Sequence, residues 1–132
     1  MGHVKKIEVD GETIFEIDYS DCNQEQMIAL INTAREIALS ENRSYLVLSC
    51  FNTKNYITPA FLRHAEKATA EILHLIHKQA LIGLSPTQKI ILQGYNILFQ
   101  RNFRAFDSRE EALRFLLDKK ATDDDLPEYF KK

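Results

Sequence analysis

The run Tyr45-Leu46-Val47-Leu48-Ser49-Cys50-Phe51-Asn52-Thr53-Lys54-Asn55-Tyr56-Ile57-Thr58-Pro59 decides the fold. It opens with consecutive apolar residues, Tyr45 to Leu48, the pattern of a strand covered on both faces. It breaks at the polar turn Asn52 to Asn55 and closes on Thr58-Pro59, a hydroxyl before proline, which marks the start of a helix. In open α/β sheets, ligands and partners gather where strands end and helices begin. The expected binding surface is therefore Phe51, Asn52, Thr53, Lys54, Asn55, Tyr56 and the first turns of the helix that follows.

The same junction recurs downstream. Gln79 to Leu84 reads as a second short buried strand, and Ser85-Pro86-Thr87-Gln88 as its helix start, with Ser85 as N-cap, Pro86 at the first helical position and Gln88 closing a capping box. Ser85 and Thr87 join the expected surface. The helix should run to about Gln100 and bury Ile91, Leu92, Tyr95, Leu98 and Phe99. Gly94 in its interior calls for a close backbone contact. Upstream, the helix from Pro59 extends in the sequence pattern to His77, with Phe61, Leu62, Ala65, Ala68, Ile72 and Ile76 buried and His64, Lys67, Glu71 and Lys78 on the other side.

The rest of the chain fits around these units. Lys5 to Val9 and Thr13 to Tyr19 alternate apolar and charged residues across the turn Asp10-Gly11, the pattern of an edge hairpin. Glu8, Glu12, Glu16, Asp18 and Asp21 fall on its solvated faces. Asn23 and Gln26 form a capping box before a helix to about Leu39. Phe103 to Phe106 is a last short strand, and Asp107 with Glu110 caps a last helix to about Leu116. Helices alternating with apolar strands predict an α/β fold: an N-terminal β-hairpin joined to a mainly parallel sheet. Residues 1–120 are expected to form one domain, and 121–132, with Asp123 to Asp125, an acidic tail.

The chain has 132 residues, 45% apolar and 27% charged, with a formal net charge of −2. This is the composition of an ordinary globular domain. A charge so close to neutral gives no reason to expect nucleic acid as a partner. No apolar run reaches the ~20 residues of a membrane helix, and the first residues lack the apolar core of a signal peptide. The two cysteines, Cys22 and Cys50, form no metal or redox motif, which places the protein in the cytoplasm.

The order of these elements, with Ile17-Asp18-Tyr19-Ser20, Tyr45 to Leu48, Ala80 to Leu84 before a helix, and Arg101 to Phe106 followed by Ser108 to Leu116, resembles the STAS superfamily of anti-sigma-factor-antagonist-like domains, especially the small stand-alone bacterial members. The likeness covers roughly Lys5 to Leu117. It implies a non-enzymatic, regulatory, protein-binding module. In well-known members of that family a serine at the start of the helix after the central strand is phosphorylated, within an aspartate–serine–serine/threonine–glycine pattern. Here the place reads Tyr56-Ile57-Thr58-Pro59, without the aspartate or glycine, so Thr58 is the phosphosite this resemblance implies and an ordinary N-cap by its own chemistry. The alternative that the resemblance leaves open is a domain for a lipid or another small apolar ligand, in a pocket between the long helix and the sheet. A homodimer is a further option.

Other candidates have plain structural readings. His74 and His77 lack a third metal ligand, and no metal or other cofactor is expected. Cys50 lacks a base and an electropositive setting, so no catalytic residue is assigned. Lys54 and Arg63 carry no anion site on their own.

Overall fold

The computed structural model describes residues 2–118. Its five strands are β1 (His3–Val9), β2 (Glu12–Asp18), β3 (Tyr45–Cys50), β4 (Ile76–Ile82) and β5 (Arg104–Phe106), side by side in chain order. β1 and β2 form the antiparallel hairpin, and every later pairing is parallel. The hairpin turns at Asp10 and Gly11, both left-handed, as a tight two-residue turn requires. The helices are α1 (Gln24–Glu41), α2 (Pro59–Ile72), α3 (Pro86–Phe99) and α4 (Arg109–Leu117). A sheet built in one direction by like-handed crossovers carries its crossover helices on one face. α1, α2 and α3 accordingly lie over one face and α4 over the other.

All six residues of β3 are buried. Strand geometry sends them alternately to two cores. Tyr45 and Val47 join Phe15, Ile17, Met27, Ala34, Ala38 and Phe61 under α1 and α2. Leu46, Leu48 and Cys50 join Ile14, Ala80, Ala112, Phe115 and Leu116 under α4. The two apolar strands β3 and β4 are parallel neighbours, with Leu48 opposite Ala80 and Cys50 opposite Ile82.

Several expectations need correction. α2 ends at Ile72, not near His77; Leu73–Leu75 is a 3₁₀ turn and β4 begins at Ile76. The segment Ile72 to His77 holds no glycine or proline to punctuate it, and pairing of Ile76 with Tyr45 overrides the helical pattern. His74 and His77 therefore share no helix face. Lys78 is not on an outer helix face but lies in β4, only 3% exposed. Its Nζ donates to the carbonyl oxygens of Phe115 (3.1 Å) and Asp118, at the C-terminal end of α4. That is where a helix dipole favours a cation.

β2 is an inner strand, not an edge, so Glu16 loses its solvated face and is 4% exposed. Arg109 from α4 reaches it at 2.5 Å, with Lys5 at 3.7 Å and His3 at 3.4 Å from β1. A buried carboxylate is tolerable only when paired in this way. The last helix is capped by Ser108, whose Oγ accepts the Glu111 amide at 3.1 Å; Asp107 instead pairs with Lys89. β5 starts at Arg104 instead of Phe103. In α3, Leu98 is 74% exposed instead of buried, and among the described residues nothing lies within 4 Å of the place a Cβ would take at Gly94. Residues 119–132, including the acidic run, lie outside the described residues.

Gly83, just past β4, has φ +85°, and a Cβ there would stand 1.8 Å from the Phe51 carbonyl oxygen. The backbones of the two strand ends meet at this point, where the Phe51 amide donates to the Ile82 carbonyl at 2.9 Å. Gly83→Ala adds left-handed strain to a main-chain clash. It should cost on the order of 3 kcal/mol in urea unfolding. A loss under about 0.5 kcal/mol would show that the strand ends do not approach so closely.

Candidate functional site

Past the end of β3 the chain forms a tight loop whose two asparagine side chains bond back to the protein. Asn55 is buried, and its Nδ2 donates to the carbonyl oxygens of Tyr19 (2.8 Å) and Cys22 (3.0 Å) in the β2–α1 connection. Its Oδ1 accepts the Asn52 amide at 2.8 Å. Asn52 Oδ1 accepts the amides of Lys54 and Asp21, both at 3.2 Å, and its Nδ2 donates to Asp21 Oδ1 at 2.8 Å. These side-chain bonds replace the backbone ladder that the loop lacks. The hydrogen bond from Asn52 holds the Asp21 carboxyl below its usual range, with Lys54 adding to it. Phe51 stacks on Tyr19 with ring centroids 4.7 Å apart.

α3 is locked to this loop by one residue. Gln88 closes the capping box with Ser85 and also donates from Nε2 to the Asn55 carbonyl at 2.8 Å and the Asn52 carbonyl at 3.3 Å. The structure thus brings the loop and the Ser85–Thr87 junction together. It divides the expected binding residues by orientation. Asn55 is internal, Phe51, Asn52 and Ser85 are half-buried, and Thr53, Lys54, Tyr56 and Thr87 are exposed. Tyr56 is 81% exposed, directly after the residue that Gln88 holds.

Thr58 is the N-cap of α2. Its Oγ1 accepts the Phe61 amide at 3.1 Å and donates to Gln24 Oε1 at 2.5 Å, which ties α2 to the start of α1. Thr58→Ala should cost about 1–2 kcal/mol by thermal or urea unfolding, and Thr58→Ser should retain nearly all of the stability. Equal loss in both variants would show that the methyl group, not the hydroxyl, matters.

The sequence did not single out the outer face of α3. Ile90, Ile97 and Leu98 are exposed there, around Gly94 and one turn beyond Thr87. On the α1–α3 side, where the alternative reading expects a pocket between the long helix and the sheet, a cavity of about 120 Å³ lies between the sheet and the three helices. Phe15, Val47 and Leu81 line its floor, and Phe61, Ala65 and Leu92 its roof. The signal available in the sequence was the run of small residues in α2, Ala65, Ala68 and Thr69, which fill less of the space above the sheet.

Cys50 is unsuited to nucleophilic work. Burial pushes its thiol up to about 12, and the Glu16 and Asp18 carboxylates add to the shift. Burial likewise raises the Tyr19 hydroxyl above its ordinary 10.0. Folded-state values above the unfolded ones mean that this stability is whole below about pH 9 and is lost as pH rises toward 12. In reducing buffer the melting temperature should fall across that window, and less steeply for Cys50→Ser. Parallel curves would show that the thiol ionises equally easily in both states. Among the described residues no three His, Cys, Asp or Glu side chains converge as a metal site.

No family model matches the chain, and no curated protein does. Among solved structures it is similar to one described as an anti-sigma-factor antagonist (STAS) domain protein from Planctomyces limnophilus, with a TM-score of 0.56 over 86% of this chain and 97% of that one. At 14% identity the likeness shows the fold. The protein has the STAS-like α/β fold: an antiparallel N-terminal hairpin, then parallel strands alternating with helices.

Proposed function

We propose that this protein is a non-enzymatic regulatory module that binds a protein partner in the cytoplasm, through Tyr56, Thr87 and the outer face of α3. The observation that carries this reading is the apolar stripe Ile90, Gly94, Ile97 and Leu98, at helical spacing on a solvent-facing surface. Apolar side chains grouped in this way mark contact surfaces. Gly94 strengthens it. Glycine inside a helix costs about 1 kcal/mol relative to alanine, and no neighbour among the described residues needs the space. A partner's backbone or side chain seated against the helix does. The STAS-like fold supports the same class of function, and the high value of the Cys50 thiol speaks against covalent catalysis.

Thr58 is the proposed point of control. A phosphate there would sit at the N-terminus of α2, where an anion is favourable, but it would break the bond donated to Gln24. Modification would thus loosen α2 from α1 beside the loop that presents Tyr56.

A second reading rests on the cavity. A space of about 120 Å³ between the sheet and its helices is room for a small apolar ligand.

A photo-reactive phenylalanine analogue at Ile97, in cells that produce the protein naturally, tests the first reading. It should give a discrete adduct with a second protein, absent when the analogue replaces Glu12 on the hairpin. Gly94→Ala should weaken that adduct while raising stability by about 1 kcal/mol. An Ile97 pattern no different from the Glu12 control would contradict a contact surface on α3. An adduct with the mass of two copies would replace the separate partner with a homodimer.

A further inference from the structure

The cavity has a polar spot on its floor. Gln79 stands opposite Val47 and Ser49 opposite Leu81, so both side chains rise from the sheet face that α1, α2 and α3 cover. Gln79 Nε2 reaches Ser49 Oγ at 3.4 Å, while Gln79 Oε1 is buried and has no hydrogen-bond partner among the described residues. Two polar side chains on the wall, Gln88 and Tyr95, are engaged. Gln88 holds the loop carbonyls and the Ser85 amide, and the Tyr95 hydroxyl donates to Glu66.

A buried amide oxygen without a donor is unfavourable, and a leucine at this position would avoid that cost and fill the space. The amide is explained if the occupant brings the donor. We infer that the cavity receives a small neutral molecule with one hydroxyl or N–H donor on an apolar body, which hydrogen-bonds to Gln79 Oε1. This rests on the second reading above and adds the chemical class of the ligand. The volume sets the size: an apolar protein cavity of roughly 150 Å³ accommodates benzene, so a single ring or a chain of similar bulk fits here. A carboxylate does not suit the site, because it carries no donor and would lose its hydration in apolar surroundings.

Phenol, benzene and benzoate titrated into the purified full-length chain, followed by methyl chemical shifts of the cavity-lining residues, provide the test. The wild type should bind phenol about three- to tenfold more tightly than benzene, the range one net neutral hydrogen bond provides. Benzoate should not bind. Gln79→Leu should abolish the phenol preference and keep benzene binding, which also shows that the variant is folded. Gln79→Met serves if the leucine variant does not fold. Equal binding of phenol and benzene by the wild type, or a phenol preference that survives in the variant, overturns the anchor and leaves the cavity reading in place. Binding of none of the three overturns both.

Discussion

The architecture depends on the double burial of β3. Six consecutive residues are removed from water, and because successive side chains point to opposite faces, one strand anchors two cores. Neither core could form alone: α4 covers Leu46, Leu48 and Cys50, while α1 and α2 cover Tyr45 and Val47. The strand must therefore sit in the middle of the sheet, and its C-terminal end must open between two helix starts. The close contact of Phe51 with Gly83 continues β3–β4 pairing past the last regular residues and aligns those two starts.

The two sides of the sheet differ in how they treat polar groups. On the α4 side the buried charges are matched: Glu16 by Arg109 and Lys5, and Lys78 by the carbonyl oxygens ending α4. These contacts lock α4 in place and leave that face closed. On the other side, small residues in α2 and an amide oxygen at Gln79 without a donor among the described residues leave space and an unused acceptor. The features that call for an external molecule are on this second side.

Much of the fold was legible in the sequence because its signals are local. Thr58-Pro59 and Ser85-Pro86 mark helix starts through the chemistry of their own turns, and the apolar runs mark buried strands. What failed was information held elsewhere in the chain. The end of α2 is set by pairing of Ile76 with Tyr45, across the sheet. Glu16 looked solvated because its alternation suits an edge, whereas β2 is covered on both faces. Leu98 looked buried because an apolar stripe that faces solvent has the same sequence pattern as one that faces a core. The loop lies at the strand-to-helix junction that the sequence marks, but whether each asparagine points in or out depends on partners more than thirty residues away, Asn55 on Tyr19 and Asn52 on Asp21.

That inward orientation is central to the proposed function. With Asn52 and Asn55 bonded to the β2–α1 connection and to Gln88, the loop holds Tyr56 and α3 in one fixed relation before any partner arrives. A surface ordered in advance loses less conformational freedom on binding. Amide hydrogen exchange of the free protein, read residue by residue, tests this most directly. The amides of Asn52 and Asn55, bonded to each other's side chain and carbonyl, should be protected to nearly the degree of β3, while Thr53 between them exchanges fast. Uniformly fast exchange from Asn52 to Tyr56 would contradict a preordered surface.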